Sequence, residues 1–365
     1  MGGSVGVGRM LVGHGLGTVP AMSTPPASPT PPTPPGEARA FVVSKEGDQV
    51  TSGVRRLDAD ELGEGDVLVA VEWSAVNYKD GMVTRPGNRV ARISPLVPGV
   101  DLVGTVVSSP DPSVAVGSPV VAHGYDLGVA HHGGFSTLAR VPAGWVVPLP
   151  PGLSARRAAV IGTAGFTAAL SLDRLEHHGL APGDGPVLVT GASGGVGSMA
   201  VTLLAARGYE VVASTGSAGG HAYLTGLGAA RVIGRDELAG ADGRTLGPER
   251  WAGAVDCVGG PTLASVLRSL RYGAAVAASG LTGGNTLETS VFPFIVRNVS
   301  LIGVDTVETP IDERRRVWEG MAGAFPDERL DDMVDSETGL DALSSALDRI
   351  LAGGTRGRVL VDPHR

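Results

Sequence analysis

From Ala38 to about Val147 the apolar residues come in short runs broken by Gly, Pro and Asp. The runs ARAFVV (38–43), DVLVAVEWSAV (66–76), DLVGTVV (101–107) and SPVVAHG (118–124) have the β-branched, alternating character of strands. Helical periodicity is scarce there, so a twisted, mostly β domain is expected. The rhythm changes near Ser154. A helical stretch, 153–179, leads to a short apolar strand PVLVT (186–190), a glycine turn, a helix Val196–Arg207 and a second strand YEVVAST (209–215). The same alternation continues through ARVIG (230–234), AGAVDCVG (252–259), LASVLRSL (263–270), AAVAASG (274–280) and VSLIGVD (299–305). Strands alternating with helices predict a parallel, doubly wound α/β sheet. One or two helices and a final strand-like GRVLVD (357–362) should return to the first domain.

The front of the chain differs. Residues 24–36 read TPPASPTPPTPPG, and glycine is frequent ahead of them. Such a segment lacks the side chains of a core, so 1–37 is expected to be a disordered Pro/Gly-rich tail, with Met22 as an alternative start. It holds no apolar run long enough for a signal peptide, and no later segment has about 18 consecutive apolar residues. The organisation expected is therefore the tail, a β domain of 38–160 and 306–365, and a nucleotide-binding domain of 161–305.

Composition narrows the function. The net charge is −8, with 37 acidic and 29 basic residues, which offers no electrostatic footprint for nucleic acid or an anionic membrane. Cys257 is the only cysteine, so neither an internal disulfide nor a cysteine-rich zinc site is expected. His131-His132 and His177-His178 lack a third ligand at metal spacing. Adjacent histidines on a strand would also face opposite ways. A cytoplasmic location fits.

The strongest chemical signal is VLVTGASGGVGSMAV (187–201). Gly191, Gly194 and Gly197 form a G-x-x-G-x-x-G turn between strand and helix, where a pyrophosphate can meet backbone N–H groups. NAD-binding folds usually end the next strand with an acid that accepts from the ribose 2′-hydroxyl. Here Thr215, Gly216 and Ser217 stand in its place, which favours NADP(H). Arg235, after the third strand, either supplies charge to the 2′-phosphate or is a solvated loop arginine.

These motifs resemble the zinc-free medium-chain dehydrogenase/reductases, and more narrowly the acrylyl-CoA reductase (AcuI/YhdH) group, whose members are also labelled quinone oxidoreductases. The matching stretches are WSAVNYKD (73–80), VPGVDLVGTV (97–106), HHGGFSTLARV (131–141), IGTAGFTAALSL (161–172), VTGASGGVGS (189–198), WAGAVDCVGG (251–260) and PFIVRNVSLIGVD (293–305). The resemblance implies a GroES-like β domain, a Rossmann domain, NADPH, no zinc and a homodimer joined through the Rossmann sheets. Carried over residue by residue, it sets Tyr78 against the nicotinamide and Thr163 at the nicotinamide ribose or phosphates. Ser193, Gly194, Gly195 and Val196 fall at the pyrophosphate, Arg235 at the adenosine phosphate and Leu281 near the nicotinamide. Where the family often has Ser-Gly-Arg after the second strand, this chain has Thr215-Gly216-Ser217.

The implied reaction is NADPH-dependent reduction of an activated carbon–carbon double bond. The acceptor is a short enoyl-CoA such as acrylyl-CoA, or alternatively a quinone or free enone. A reading from another class is an NADPH-binding sensor or structural protein without turnover. Such a reductase must hold hydride donor and acceptor together, stabilise an enolate and deliver a proton. A phenol is protonated near neutral pH and can donate, so Tyr78 is the candidate catalytic group; it could equally only support the cofactor. Lys79 and Asp80 are expected to form a local ion pair. Arg85, Arg89 and Arg92 could meet CoA phosphates.

Overall fold

The computed structural model describes residues 1–3, 36–217, 219–238 and 244–365. The tail expected to be disordered, and the alternative start at Met22, therefore lie almost wholly outside the described residues. An antiparallel hairpin comes first: β1 (Glu37–Glu46) pairs with β2 (Gln49–Asp58). There follow β3 (Val67–Ala75), β4 (Asp101–Ser108), β5 (Pro119–His123), β6 (Leu138–Val141) and β7 (Val146–Pro148). The later strands are β8 (Val187–Val189), β9 (Val211–Ser214), β10 (Arg231–Ile233), β11 (Trp251–Asp256), β12 (Leu270–Ala278) and β13 (Ser300–Gly303). Two more, β14 (Val334–Gly339) and β15 (Arg358–Asp362), close the chain.

These strands build two main sheets. One runs β14-β15-β3-β4-β5-β7, with β6 also paired to β3, and its central ladders are antiparallel. Its C-terminal member is anchored by Leu360 opposite Ala75 and Val361 opposite Ser74. The other sheet is parallel throughout, in the order β10-β9-β8-β11-β12-β13. In chain order that is 3-2-1-4-5-6, the dinucleotide-binding arrangement, whose crevice opens between the first and fourth strands at their carboxyl ends. The buried Val187, Leu188, Val189, Ala254 and Val255 explain why these short strands read as continuous apolar runs.

A helix joins the sheets. Helix α1 (Tyr78–Met82) is a short turn after β3, whereas α2 (Ala155–His177) packs against β3, β4 and β12. Ser154 caps α2 by accepting from Arg157 N. Gly162, at φ 45° and ψ −154°, breaks it beside the expected 160/161 boundary. At the end of β5, the buried His123 accepts from Trp318 Nε1 at 2.8 Å, which ties the helix Ile311–Met321 to the first sheet. Burial, reinforced by the neighbouring Arg314 guanidinium, lowers the His123 pKa well below its ordinary value.

The tail departs from expectation. Three helices, Ile311–Met321, Asp327–Asp332 and Leu343–Leu351, occupy it, with β14 between the second and third. Among the described residues no helix is long and apolar enough to cross a membrane.

Candidate active site

The glycine turn sits between β8 and α3 (Gly195–Ala206), at the crevice of the parallel sheet. The first N–H groups of a helix have no carbonyl four residues back, so they are free to meet an anion. Gly197 has to be glycine here. A Cβ would run into the backbone of Gly191 and lie 2.6 Å from Ala192 Cα. Ser193 stands in the turn with its hydroxyl 3.0 Å from that of Thr215, and Thr215 also accepts from Ser217 N at 3.1 Å. Arg235 reaches across from the loop after β10 and lies against Gly216, so closely that any Cβ there would collide with the guanidinium. It forms no ion pair among the described residues, and together with Thr190, Ser193, Thr215 and Gly216 it lines a cavity of about 290 Å³. An unpaired guanidinium beside two hydroxyls, with no carboxylate on the lining, is chemistry suited to a phosphate monoester.

A longer cleft of about 460 Å³ continues from Ser193, Gly194, Gly195 and Val196 to Tyr78. Tyr78 is 41% exposed, at the start of α1, and its hydroxyl has no partner among the described residues. Cys257 lines the same cleft just after β11 rather than within a strand; burial, with Asp256 nearby, pushes its thiol pKa up. Leu281 is 59% exposed, and it is Thr282 that lines the cleft beside it.

Beyond Tyr78 the site rests on a hub that sequence reading missed. Asp101, at the start of β4, is buried and accepts at one oxygen from both the backbone N and the hydroxyl of Thr163, each at 2.7 Å. Its other oxygen takes Asn77 Nδ2 at 2.8 Å and the Arg358 guanidinium at 2.9 Å. Arg358 also donates to Asn77 Oδ1 at 3.1 Å and to the Val160 carbonyl at 3.0 Å. A Cβ on Gly195 would lie 3.3 Å from the same guanidinium, so the hub abuts the glycine turn. Thr163 is thus held from behind by Asp101. A signal was present: Asn77 and Asp101 stand inside the quoted motifs, and Arg358 is a charged residue opening an apolar strand.

Two further expectations are corrected. Lys79 and Asp80 form no ion pair, because Asp80 turns inward. It accepts from Asn77 N at 2.8 Å, Gly99 N at 3.1 Å and Val100 N at 3.0 Å. Burial drives its pKa up to about 7, with Asp101 adding repulsion and the three N–H groups opposing. His131 and His132 lie in a loop, not on a strand. His131 meets the carbonyls of His132 and Glu64, and His132 accepts from Val97 N. Among the described residues no group of three His, Cys, Asp or Glu side chains could hold a metal. Of the three surface arginines, Arg85 pairs with Asp348 at 2.7 Å and Arg92 with Asp126, while Arg89 is exposed.

Comparison with known proteins agrees with this geometry. Residues 63–151 match the alcohol dehydrogenase GroES-like domain, and 195–322 match the family described as zinc-binding dehydrogenase. The chain is 49% identical to acrylyl-CoA reductase AcuI of Ruegeria pomeroyi over 88% of its own length and 98% of that protein's. The crystal structure of the yhdH oxidoreductase of Salmonella enterica, in complex with NADP, is 44% identical. It superposes with a TM-score of 0.86 over 89% of this chain and 99% of that one. Bacillus subtilis yhfP, crystallised with NAD, gives 47% identity and a TM-score of 0.87 over 89% and 99%.

Proposed function

The chain belongs to the medium-chain dehydrogenase/reductase superfamily, in the group of acrylyl-CoA and quinone oxidoreductases, and on that footing we propose NADPH-dependent reduction of an activated carbon–carbon double bond. The favoured acceptor is a short enoyl-CoA. The observation that carries the cofactor half is Arg235, without an ion-pair partner among the described residues and laid against Gly216 beside Ser193 and Thr215. An acid at this place would repel a 2′-phosphate; a guanidinium and two hydroxyls bind one.

When bound, the reduced nicotinamide supplies a hydride to the β-carbon of the acceptor. The remaining work falls to the protein. Ser193, Gly194, Gly195 and Val196 hold the pyrophosphate on the first turn of α3, and Thr215, Gly216, Ser217 and Arg235 hold the adenosine end. Thr163, fixed by Asp101, orients the nicotinamide ribose. Tyr78 packs at the nicotinamide end, and its unpartnered hydroxyl is available to deliver a proton. Leu281, exposed as it is, closes over the cofactor's outer side. Nothing here calls on zinc.

The outer edge of the parallel sheet supports a homodimer. Among the described residues strand β13 has a neighbour on one side only, and Val291, Phe292, Ile295 and Val296 beside it are exposed by 50–75%. A second copy laid along this edge would cover them. A cytoplasmic setting, where NADPH is the common reductant, belongs to the same reading.

The test is NADPH oxidation by the purified protein against acrylyl-CoA, crotonyl-CoA, quinones and free enones. The reading expects the highest kcat/KM with a short enoyl-CoA. Binding of NADPH with no oxidation by any acceptor would instead support a sensor. Because a relative 47% identical bears the quinone oxidoreductase name, quinones form the competing arm.

A further inference from the structure

Beside the cofactor cleft, and sharing Asn77 with it, lies a smaller cavity. Its walls are largely apolar, with Val100, Leu127 and Val129 among them, and no Asp or Glu lines it. Two of its polar residues are already engaged: Asn77 is bonded to Asp101 and Arg358, and the Thr163 hydroxyl donates to Asp101. Lys79 is different. Its ammonium has no hydrogen bond or ion pair among the described residues, because the adjacent carboxylate of Asp80 is turned inward onto three backbone N–H groups. Of the other carboxylates next to the cavity's lining residues, Asp101 pairs with Arg358, Asp126 pairs with Arg92, and Asp305 accepts from Val307 N and Glu308 N. A second cation stands behind the wall: the buried Arg314 guanidinium lies where a Cβ on Gly124 would be 2.8 Å away, and it bonds carbonyls and His123 rather than an acid.

An apolar chamber with one uncommitted ammonium and no carboxylate on its lining suits an acceptor on which negative charge develops. We propose that this cavity receives the acyl end of the substrate and that Lys79 holds the carbonyl oxygen as it becomes an enolate. The inference rests on the reductase reading above. The hydride forms a C–H bond at the β-carbon, and the π electrons move to make a Cα=C bond and a charged oxygen, which Lys79 meets with an N–H. A proton from Tyr78 or water then adds to the α-carbon and restores the carbonyl. Lys79 keeps its own proton throughout. Entry of the substrate covers the otherwise exposed ammonium, which strengthens the contact as charge appears.

The experiment compares wild type, Lys79→Gln and Lys79→Arg in the full chain. Lys79→Gln should lower kcat with an enoyl-CoA or enone by about 100-fold. Its NADPH dissociation constant and melting temperature should stay those of wild type, and Lys79→Arg should recover much of the rate. A second readout is independent of turnover. With NADP+ present, wild type should bind propionate in preference to propionamide, and Lys79→Gln should lose that preference. Wild-type kcat together with an unchanged propionate preference in Lys79→Gln would overturn the proposal, as would loss of NADPH binding in that variant. If wild type reduces no acceptor at all, the reductase reading fails; the propionate comparison still judges Lys79.

Discussion

The phosphate end of the cleft and its acceptor end are made by different means. At the phosphate end, one continuous turn of seven residues, Gly191 to Gly197, offers mainly backbone, and its form is dictated by where side chains must be absent. At the acceptor end, Asn77, Asp101, Thr163 and Arg358 converge from four segments, the outermost 281 positions apart in the chain. The first tolerates error in distant parts of the fold, because local geometry makes it. The second exists only when both sheets and α2 are in register. On the function proposed above, positioning at the acceptor end should therefore depend on global stability more than cofactor binding does.

The largest effect should come from breaking the hub. Arg358→Met leaves the buried Asp101 carboxylate without its cation, both side chains being no more than 3% exposed. Removing one partner of such a pair destabilises by about 3–5 kcal/mol. Urea unfolding should report that loss, with turnover falling alongside. A loss under about 1 kcal/mol would mean that the two ends are equally local and would break the comparison.

At the phosphate end the expected effect is smaller and confined to one ligand. Arg235→Gln removes a charge-assisted contact worth about 1.5–3 kcal/mol, so NADPH should bind roughly 10- to 100-fold more weakly while NADH is little changed. Equal weakening of both would make Arg235 a structural residue. The smallest effect is a pH slope. The pKa of Asp80, about 7, lies above the ordinary 3.8, so its protonated form favours the fold. That contribution is complete below about pH 4 and is lost as pH rises through 7, at no more than roughly 1.4 kcal/mol per pH unit. The stability difference between wild type and Asp80→Asn should decline over that range. A flat difference would show that the three N–H groups hold the carboxylate charged.

What could be read in the sequence follows the same division. The central parallel strands β8, β9 and β11 were legible because each is a short apolar run that is almost wholly buried, and the turn after Val189 because glycine spacing is a local constraint. Strand β2 was not: QVTSGVRRLD has no fully buried residue, only the half-buried Val50, Val54 and Leu57 touch the core, and the rest is held as a strand by its backbone ladder with β1. β14, VDSETG, is likewise polar and depends on its parallel pairing with β15. Adjacent opposite charges at Lys79 and Asp80 suggest attraction, whereas the start of α1 turns Lys79 outward and the next residue, Asp80, inward. Arg358 carried no local sign of its partner, since Asp101 lies 257 positions away.

The most direct test of the central claim is isotope transfer. NADPH carrying deuterium at the transferable position of nicotinamide C4 would be incubated with the protein and acrylyl-CoA, and the propionyl product analysed by NMR. The account predicts one deuterium on the β-carbon of each product molecule and a solvent-derived hydrogen on the α-carbon. Product with no deuterium at the β-carbon, or NADPH consumed with the acceptor unchanged, would contradict it.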